Sequence, residues 1–411
     1  MSTWIDLTDL LEWKGNLTGI QRIQFNISKL YAESGDDVRF FTYHSLSRRF
    51  TEVSFDPDTI VRSGIVRTNK QRRSIYRGVL RRIHLLNTEI RIRNKVISAS
   101  HTVRRKMLTK TTLPFTEHDT VLVMGSIWLG HFAEDLAEAK VTNRFRLIHF
   151  AFDMIPSVLP GFVVPWLPKV FTKYYKKAFA ISDGIIAISE STAEDVRDFM
   201  KKHKIENKPR VEIIRIGESI DDSRSRPVKG LDAGFILSVS TIEARKNHAA
   251  LLYVVREAYA RGVKIPHIVI AGRRGWHTGD FLYIVENDPI VSKAITILDG
   301  PDDAQLTWLY KNCLYTIFPS FYEGWGMPVA ESLAYGKMCI ASNTSSLTEI
   351  APEIVDHFSP YDTGELLEKI MLYSDKKLLK SKEALIKKTY RPTTWDDMYD
   401  KVRLFADNIS R

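Results

Sequence analysis

Two glutamates, Glu323 and Glu331, lie on either side of a loop–helix junction in the second half of the chain. Glu323 belongs to the loop FYEGWGMP, which directly follows an apolar run typical of a strand. Pro328 and Gly336 mark the two ends of a short helix, because proline favours the first helical position and glycine the position after the last. We therefore predict a strand, a loop and a helix, with Glu331 in the first helical turn.

The chemistry of this unit follows from where parallel strands end. Open α/β sheets bind ligands beyond the carboxyl ends of their strands, and a helix that begins there offers free N–H groups to an anion. A carboxylate at Glu323 can accept hydrogen bonds from sugar hydroxyls while backbone N–H groups hold a phosphate. Glu331 can complement the helix dipole, accept both ribose hydroxyls, or do both. These functions together fit a nucleotide sugar.

A second segment, TIEARKNH at 241–248, carries positive charge at another predicted strand-to-helix junction. Arg245 and Lys246 precede Asn247, which we predict to be the N-cap of the next helix. Adjacent basic residues are usually surface charge, so this pair alone indicates little. In the same predicted domain as Glu323, however, two cations beside a helix N-terminus predict a diphosphate site.

Glycine-containing loops at two other junctions are weaker candidates. In AGRRGW, which follows an apolar strand, Gly272 permits close approach of a ligand to the backbone and Arg273 adds charge. A flexible surface loop explains this segment equally well. Thr18 and Gly19 precede a predicted helix in the first half, where backbone N–H groups could approach the diphosphate from the opposite domain.

Length and composition limit the class of protein. A chain of 411 residues exceeds one hydrophobic core, and 44% hydrophobic with 26% charged residues is ordinary for globular domains. The first residues carry no secretory signal, and no apolar run reaches membrane-spanning length. Cys313 and Cys339 lie in strand-like runs, so we expect buried, reduced thiols in a cytosolic protein. No Cys/His spacing indicates zinc.

The net charge of +10 is concentrated in one segment, residues 61–110, which contain fifteen basic residues and one acid. Interleaved apolar residues make the segment partly amphipathic. It is either a solvated helical insertion or a face that binds anionic lipid, to which each basic side chain contributes about 1 kcal/mol. Nucleic acid is disfavoured as a partner, because neither a recognised motif nor an aromatic stacking platform accompanies the charge.

The alternation of strand and helix patterns predicts an α/β protein with parallel sheets in two doubly wound domains. We place the first domain at 1–217, with the basic insertion at about 61–112. A polar linker at 218–230 leads to the second domain at 231–390, and a helix is predicted at 391–411. Two such domains joined by one linker create a cleft between two sheet edges.

Six motifs together resemble the retaining GT-B glycosyltransferases of family 4, especially bacterial polysaccharide and lipopolysaccharide enzymes. They are TGIQRI (18–23), FDMIPSVLP (152–160), GIIAISESTAEDV (184–196), STIEARKN (240–247), AGRRGW (271–276) and PSFYEGWGMPVAESLAYGKMCIAS (319–342). The last contains the family's pair of glutamates separated by seven residues, the most specific of these features. The resemblance covers most of the chain outside the basic insertion. It implies two Rossmann-like domains that face each other across a cleft, with the last helix packed back on the first.

The resemblance also implies roles for individual residues. Lys246 and Arg245 neutralise the donor diphosphate, Glu323 contacts the transferred sugar, and Glu331 holds the ribose. The implied catalytic set further includes Asp153, which matches the aspartate of the family's His-Asp-x-x-Pro element. The implied substrate-binding residues are Gly324, Gly326, Met327, Gly272, Arg273, Gly19, Thr18 and Thr241.

Two positions depart from the family pattern. Many members have Gly-Arg where this chain has Ser240 and Thr241, so one phosphate contact is missing or is replaced by a hydroxyl. Many also have histidine before the aspartate, where this chain has Phe152. His149 is no simple substitute, because residues three apart on a strand point to opposite faces. We therefore interpret His149 as a core histidine.

These features predict a retaining hexosyltransferase that moves a hexose from a nucleoside diphosphate sugar to a hydroxyl of a lipid-linked or surface-polysaccharide glycan. TIEARKN resembles a variant found among mannosyl- and deoxyhexosyl-transferases, which favours GDP-mannose. No Asp-x-Asp motif lies at a strand end, so we expect neither a metal nor another cofactor. A GT-B epimerase or phosphorylase, and a non-catalytic nucleotide-sugar or polyanion-binding protein, are the alternatives. The expected location is the cytoplasm or the inner face of the cytoplasmic membrane.

Overall fold

The computed structural model describes residues 2–13, 17, 19–58, 60, 114–128, 130–218 and 224–409. The basic insertion predicted at about 61–112 lies outside the described residues, as does Thr18. Within the described part of the chain, no helix is both long enough and apolar enough to cross a membrane.

Seven strands form the sheet of the first domain. They are β1 (Thr3–Asp6), β2 (Val38–His44), β3 (Arg49–Val53), β4 (Thr120–Val123), β5 (Arg146–Ala151), β6 (Gly184–Ala187) and β7 (Arg210–Ile213). Their order is β3-β2-β1-β4-β5-β6-β7, and all neighbours are parallel except β2 and β3. Every residue of β4, β5 and β6 is buried, as expected for parallel strands covered on both faces.

The helices of the first domain surround this sheet. They are α1 (Thr8–Glu12), α2 (Ile20–Glu33), α3 (Phe132–Asn143), α4 (Ile155–Val158), α5 (Leu167–Ile181) and α6 (Glu190–Lys202). In α2 the apolar face of Ile23 and Ile27 is buried, and the helix begins after Gly19, whose φ of +50° favours glycine.

The second domain contains a six-stranded, fully parallel sheet. Its strands are β8 (Phe235–Val239), β9 (Ile268–Ala271), β10 (Ile295–Leu298), β11 (Cys313–Phe318), β12 (Cys339–Ser342) and β13 (Asp356–Phe358). Their order is β10-β9-β8-β11-β12-β13. The strand order reverses between β8 and β11, the position at which doubly wound sheets bind ligands.

Further helices cover this second sheet and complete the chain. They are α7 (His248–Ala260), α8 (Gly279–Asn287), α9 (Val291–Ala294), α10 (Asp303–Asn312), α11 (Met327–Ala334), α12 (Thr363–Leu372), α13 (Lys376–Thr389) and α14 (Trp395–Asn408). The last of these, α14, packs on the first domain: the rings of Tyr399 and Tyr31 lie 4.8 Å apart, and Arg403 pairs with Asp36 at 2.9 Å.

The prediction of an α/β protein with two parallel, doubly wound sheets is confirmed. Sequence patterns missed β3 and β13, for two different reasons. β3 (RFTEV) is an antiparallel edge strand without a fully buried residue, so no apolar run marks it. β13 has only three residues, too few for a period-two pattern.

Candidate functional site

Two loops meet at the point where the strand order of the second sheet reverses. The loop after β8 contains a 3₁₀ turn, Ala244–Lys246, and the loop after β11 contains Glu323. The backbone N–H of Phe321 donates to the carbonyl of Arg245 at 2.9 Å, which fixes one loop against the other. The topology thus brings together the two segments that the sequence identified separately.

The carboxylate of Glu323 lies between two cations. Its Oε1 is 2.6 Å from Lys246 Nζ, and its Oε2 is 2.9 Å from Arg245 Nη1. The side chain of Glu323 is only 8% exposed. A second buried acid, Glu243, pairs with the other Arg245 nitrogen at 2.7 Å. Two positive and two negative groups are therefore held in one desolvated cluster.

This pairing decides the protonation state of the cluster. Burial by itself raises the pKa of Glu323, but the charges of Arg245 and Lys246 outweigh burial and lower the pKa to about 2. Burial, followed by repulsion from Arg245, lowers the pKa of Lys246. Glu323 is consequently ionised at neutral pH, so it accepts hydrogen bonds and cannot act as a proton donor.

The backbone of the Glu323 loop is fixed by two serines that follow β12. The N–H of Glu323 donates to Ser345 Oγ at 2.8 Å. Ser346 Oγ lies 2.9 and 2.7 Å from the carbonyl oxygens of Glu323 and Trp325, either of which can accept its single proton. Neither serine was predicted from the sequence to be a site residue. The polar run SNTSS at the end of an apolar strand was the available signal.

Glu331 is held by one residue from each domain. Arg22 Nη1, on α2, lies 2.9 Å from Oε1, and Tyr310, on α10, donates its hydroxyl to Oε2 at 2.8 Å. The predicted place of Glu331 in the first helical turn is wrong, because α11 begins at Met327 and Glu331 lies in the second turn. The carboxylate therefore interacts with these side chains rather than with the first turn of the helix.

A family comparison identifies the domain that carries this cluster. The family model described as glycosyl transferases group 1 matches residues 219–391. The resemblance to group 1 glycosyltransferases is thus confirmed over this range, which is less than half of the chain and includes both glutamates and both cations.

Relatives of the chain include two mannosyltransferases of Escherichia coli. Serotype-specific mannosyltransferase WbdA is 25% identical over 233 residues, which cover 53% of this chain and 28% of WbdA. O-antigen chain mannosyltransferase B is 33% identical over 119 residues, covering 28% of this chain and 30% of that protein. The matched segments thus span less than a third of the length of either relative.

Solved structures share the architecture of the chain over nearly its whole length. Sucrose-phosphate synthase from Thermosynechococcus elongatus has a TM-score of 0.63 at 15% identity and covers 99% of this chain and 100% of its own. Anabaena Alr3699/HepE, in complex with UDP and glucose, has a TM-score of 0.58 at 12% identity and covers 99% of both chains. At these identities the likeness shows the fold, and the prediction of GT-B architecture is confirmed.

Asn247 does not cap the following helix as predicted. The residue does precede α7, but its φ of +54° is left-handed and its side chain makes no capping hydrogen bond. Its Nδ2 instead donates to the carbonyl of Pro360 at 2.9 Å. Asn247 thus connects the cation-bearing loop to the loop after β13.

Three of the predicted glycines are required by close packing. A Cβ at Gly272 would lie 1.7 Å from the Ser240 carbonyl oxygen, and a Cβ at Gly324 would lie 2.0 Å from that of Phe152. Gly326 has a φ of +119°, and a Cβ there would lie 2.6 Å from a methyl group of Leu347. Packing thus explains these glycines without a ligand, and their roles in binding remain predictions.

The other predicted binding residues lie around the cluster in different environments. Arg273 is exposed, with its guanidinium 6.0 Å from the ring of Trp13 in the first domain. Thr241 is exposed at the end of β8, and the partly buried Met327 packs against the hydrophobic core. Gly19 lies at the start of α2, one turn before Arg22.

Asp153 and His149 differ in what they can contribute. Asp153 lies next to Gly324 across the domain boundary, and its Oδ1 accepts from the N–H of Ile155 at 2.9 Å. Burial raises the pKa of Asp153, although the charge of Arg245 opposes this. Burial lowers the pKa of His149 to about 3, and its Nδ1 lies 2.8 Å from Ser182 Oγ. His149 is therefore a neutral core residue.

The two domains also meet along α6 of the first domain. The carboxylate of Glu349 accepts from the backbone N–H groups of Glu190 and Ser191, each at 2.9 Å, at the start of α6. The hydroxyl of Tyr322 donates to Asp195 at 2.8 Å. These contacts hold the residues beside Glu323 against the first domain, and no sequence pattern predicted them.

Among the described residues, no group of three or more His, Cys, Asp or Glu side chains is arranged to hold a metal ion. Cys313 and Cys339 are both free thiols within the core.

Proposed function

We propose that the protein is a retaining hexosyltransferase that uses a nucleoside diphosphate sugar and glycosylates a hydroxyl of a lipid-linked or surface-polysaccharide glycan. The observation that carries this proposal is the Glu323 carboxylate held between Lys246 and Arg245 where the strand order reverses. This position offers cations to a diphosphate and an ionised carboxylate to a sugar. The family of the second domain supports the same chemistry.

In the proposed reaction, the bond between the anomeric carbon and the β-phosphate oxygen breaks, and a bond to the acceptor oxygen forms on the same face. The proton of the acceptor hydroxyl passes to the departing diphosphate. Negative charge grows on that phosphate, where Lys246 and Arg245 stabilise it by preorganised electrostatics. Positive charge grows on the sugar, where Glu323 stabilises it.

Glu323 forms ion pairs with Lys246 and Arg245, the two cations that we assign to the diphosphate. A buried cation without a partner is strongly unfavourable, so the carboxylate keeps Lys246 and Arg245 compensated until the donor arrives. The donor diphosphate then shares these cations, and Glu323 becomes free to accept a hydrogen bond from the sugar. The same three charges therefore serve stability before binding and catalysis after it.

GDP-mannose is the donor that we propose, because the curated relatives are mannosyltransferases and TIEARKN resembles a mannosyltransferase variant. Thermal-shift measurements with GDP, UDP and dTDP sugars test this choice first. Because Glu331 is assigned to both ribose hydroxyls, dTDP sugars, which lack the 2′-hydroxyl, are expected to stabilise the protein least.

Turnover measurements test the reaction itself. Wild-type protein, donor and a glycan acceptor should give a glycoside whose anomeric configuration, read by NMR, matches that of the donor. Glu323→Gln preserves the shape of the side chain and should abolish this product while the melting temperature shows a folded protein. Isomerised donor in the absence of acceptor would instead identify an epimerase, and phosphate-dependent turnover a phosphorylase. Nucleotide-sugar binding without turnover would indicate a non-catalytic protein.

The acceptor side of the proposal includes a membrane surface. The basic segment 61–110 would bind anionic lipid beside a lipid-linked acceptor, with about 1 kcal/mol per basic side chain near the surface. Vesicle co-sedimentation tests this with the quadruple variant R72S/R73S/R81S/R82S. Loss of binding to vesicles that contain phosphatidylglycerol would support the proposal, and equal binding by both proteins would contradict it.

A further inference from the structure

An ion pair between Arg22 and Glu331 crosses the cleft at the residue that we assign to the nucleotide ribose. Arg22 is on α2 of the first domain and Glu331 on α11 of the second, with 2.9 Å between Nη1 and Oε1. Tyr310, from the second domain, donates to Oε2 at 2.8 Å. The side chains of Arg22 and Glu331 are 33% and 14% exposed, so a ligand can reach the pair from the cleft.

The number of hydrogen bonds at Glu331 matches a vicinal diol. A carboxylate accepts about four hydrogen bonds, two at each oxygen. Arg22 uses one position on Oε1 and Tyr310 uses one on Oε2. Counting the described residues alone, one acceptor position is left on each oxygen, and the 2′- and 3′-hydroxyls of a ribose present two donors side by side.

We propose that Arg22 is a positioning residue for the nucleotide ribose and that it connects ribose recognition to closure of the two domains. This inference rests on the proposed function and extends it to a residue of the first domain. Tyr310 and Glu331 belong to the same domain, so their hydrogen bond does not depend on the separation of the two domains. Because Arg22 and Glu331 lie on different domains, separation of the domains would break their ion pair, leave the carboxylate with one support and weaken its hold on the ribose.

The ion pair can be tested without loss of the fold. Partly exposed ion pairs contribute little to folding stability, so Arg22→Ala should remain folded. Lys29 is on the same helix, 47% exposed, and its one described ion pair is a 3.9 Å contact with Glu33. Lys29→Ala therefore removes a positive charge from α2 without touching the cleft and provides a matched control.

The experiment measures binding of GDP and of 2′,3′-dideoxy-GDP by calorimetry, with UDP and its dideoxy analogue in parallel. Wild type and Lys29→Ala should bind the ribonucleotide at least about tenfold more tightly, since hydrogen bonds to a charged group contribute about this much. Arg22→Ala should lose most of this preference through weaker binding of the ribonucleotide, with little change for the dideoxy analogue. Tyr310→Phe should lose it similarly.

Two results would overturn the inference while leaving the proposed function intact. Unchanged preference for the ribonucleotide in Arg22→Ala would show that Arg22 is irrelevant to the ribose. Tighter binding by Arg22→Ala would show that the ion pair competes with the ribose. Absence of any nucleotide binding by wild type would reject the proposed function and this inference together.

Discussion

The two domains place a buried carboxylate at the same topological position, where the strand order reverses, but treat its charge in opposite ways. Glu323 in the second domain has two cations within 2.9 Å, and its pKa is lowered to about 2. Asp6, at the end of β1 in the first domain, is fully buried, and burial raises its pKa to about 7. Burial is common to both residues, so the neighbouring charges decide the protonation state.

The surroundings of Asp6 explain why burial prevails there. Its Oδ1 accepts from the N–H and hydroxyl of Thr8, at 3.0 and 2.6 Å. Within the described residues, Oδ2 has no hydrogen-bond partner, and neither has the hydroxyl of Tyr174. The nearby charges of Asp9 and Glu12 raise the pKa of Asp6 further. Glu323 is therefore ionised at neutral pH, whereas the pKa of Asp6 lies close to neutrality.

Substitution of Lys246 should have the largest effect on kcat/KM. We expect Lys246→Ala to reduce kcat/KM by about 10²–10³, roughly 3–4 kcal/mol, because a preorganised cation at the leaving group is removed. Asp6→Asn should reduce it far less, since no reacting charge is assigned to Asp6. Steady-state kinetics with the donor selected by thermal shift measures both. Equal losses in the two variants would contradict the distinction between the sites.

Asp6 should give the protein a stability that falls as pH rises. Its pKa is 3.8 ordinarily and about 7 in the folded state, so its contribution is complete below about 4 and is lost as pH rises to 7. The loss is about 4 kcal/mol, at about 1.4 kcal/mol for each pH unit between the two pKa values. Glu323 acts oppositely, because its contribution is present above 4.5 and is lost as pH falls towards 2.

Urea unfolding at pH 5 and pH 8 measures the effect of Asp6. The free energy of unfolding of wild type should drop between these pH values by more than that of Asp6→Asn. An identical pH dependence in the two proteins would show that Asp6 is already ionised at pH 5.

Gly324 lies at the boundary between the two domains, against Phe152 of the first domain. A Cβ in Gly324→Ala would lie 2.0 Å from the carbonyl oxygen of Phe152, so the domains must separate slightly. We expect the contact between the two domains to be destabilised by about 2 kcal/mol. The variant should therefore have a higher KM for the donor and a lower kcat. Gly279→Ala is the control, because nothing lies within 4 Å of a Cβ there. Equal kinetics in both variants would refute the effect.

Glu349 should have the smallest effect. Glu349→Ala removes the carboxylate that caps α6 from the other domain, which should cost about 1 kcal/mol. Glu353 is exposed and provides a control of equal charge. Thermal unfolding of Glu349→Ala and Glu353→Ala measures the difference, and indistinguishable melting temperatures would show that the cap is replaced by solvent.

Local patterns were sufficient for much of the fold and for the second-domain cluster. Ile20, Ile23 and Ile27 have the apolar spacing of a helix, and they lie in α2. Glu323 and Lys246 could be identified because each lies in a short, distinctive junction between a strand and a helix. Parallel order then requires both junctions to lie at the same sheet edge, which is why separate motifs could be assigned to one site.

Sequence patterns are sufficient to predict two α/β domains, their strands and helices, and the residue types at each strand end. Which charged residues meet one another depends on the tertiary structure. Arg22 and Glu331 are 309 residues apart, and Glu349 reaches α6 from the other domain. Hydrophobic periodicity reports which face of an element is buried, but not the partner on the far side. The pKa of a buried carboxyl depends on that partner, so the contrast between Glu323 and Asp6 exists only in the folded chain.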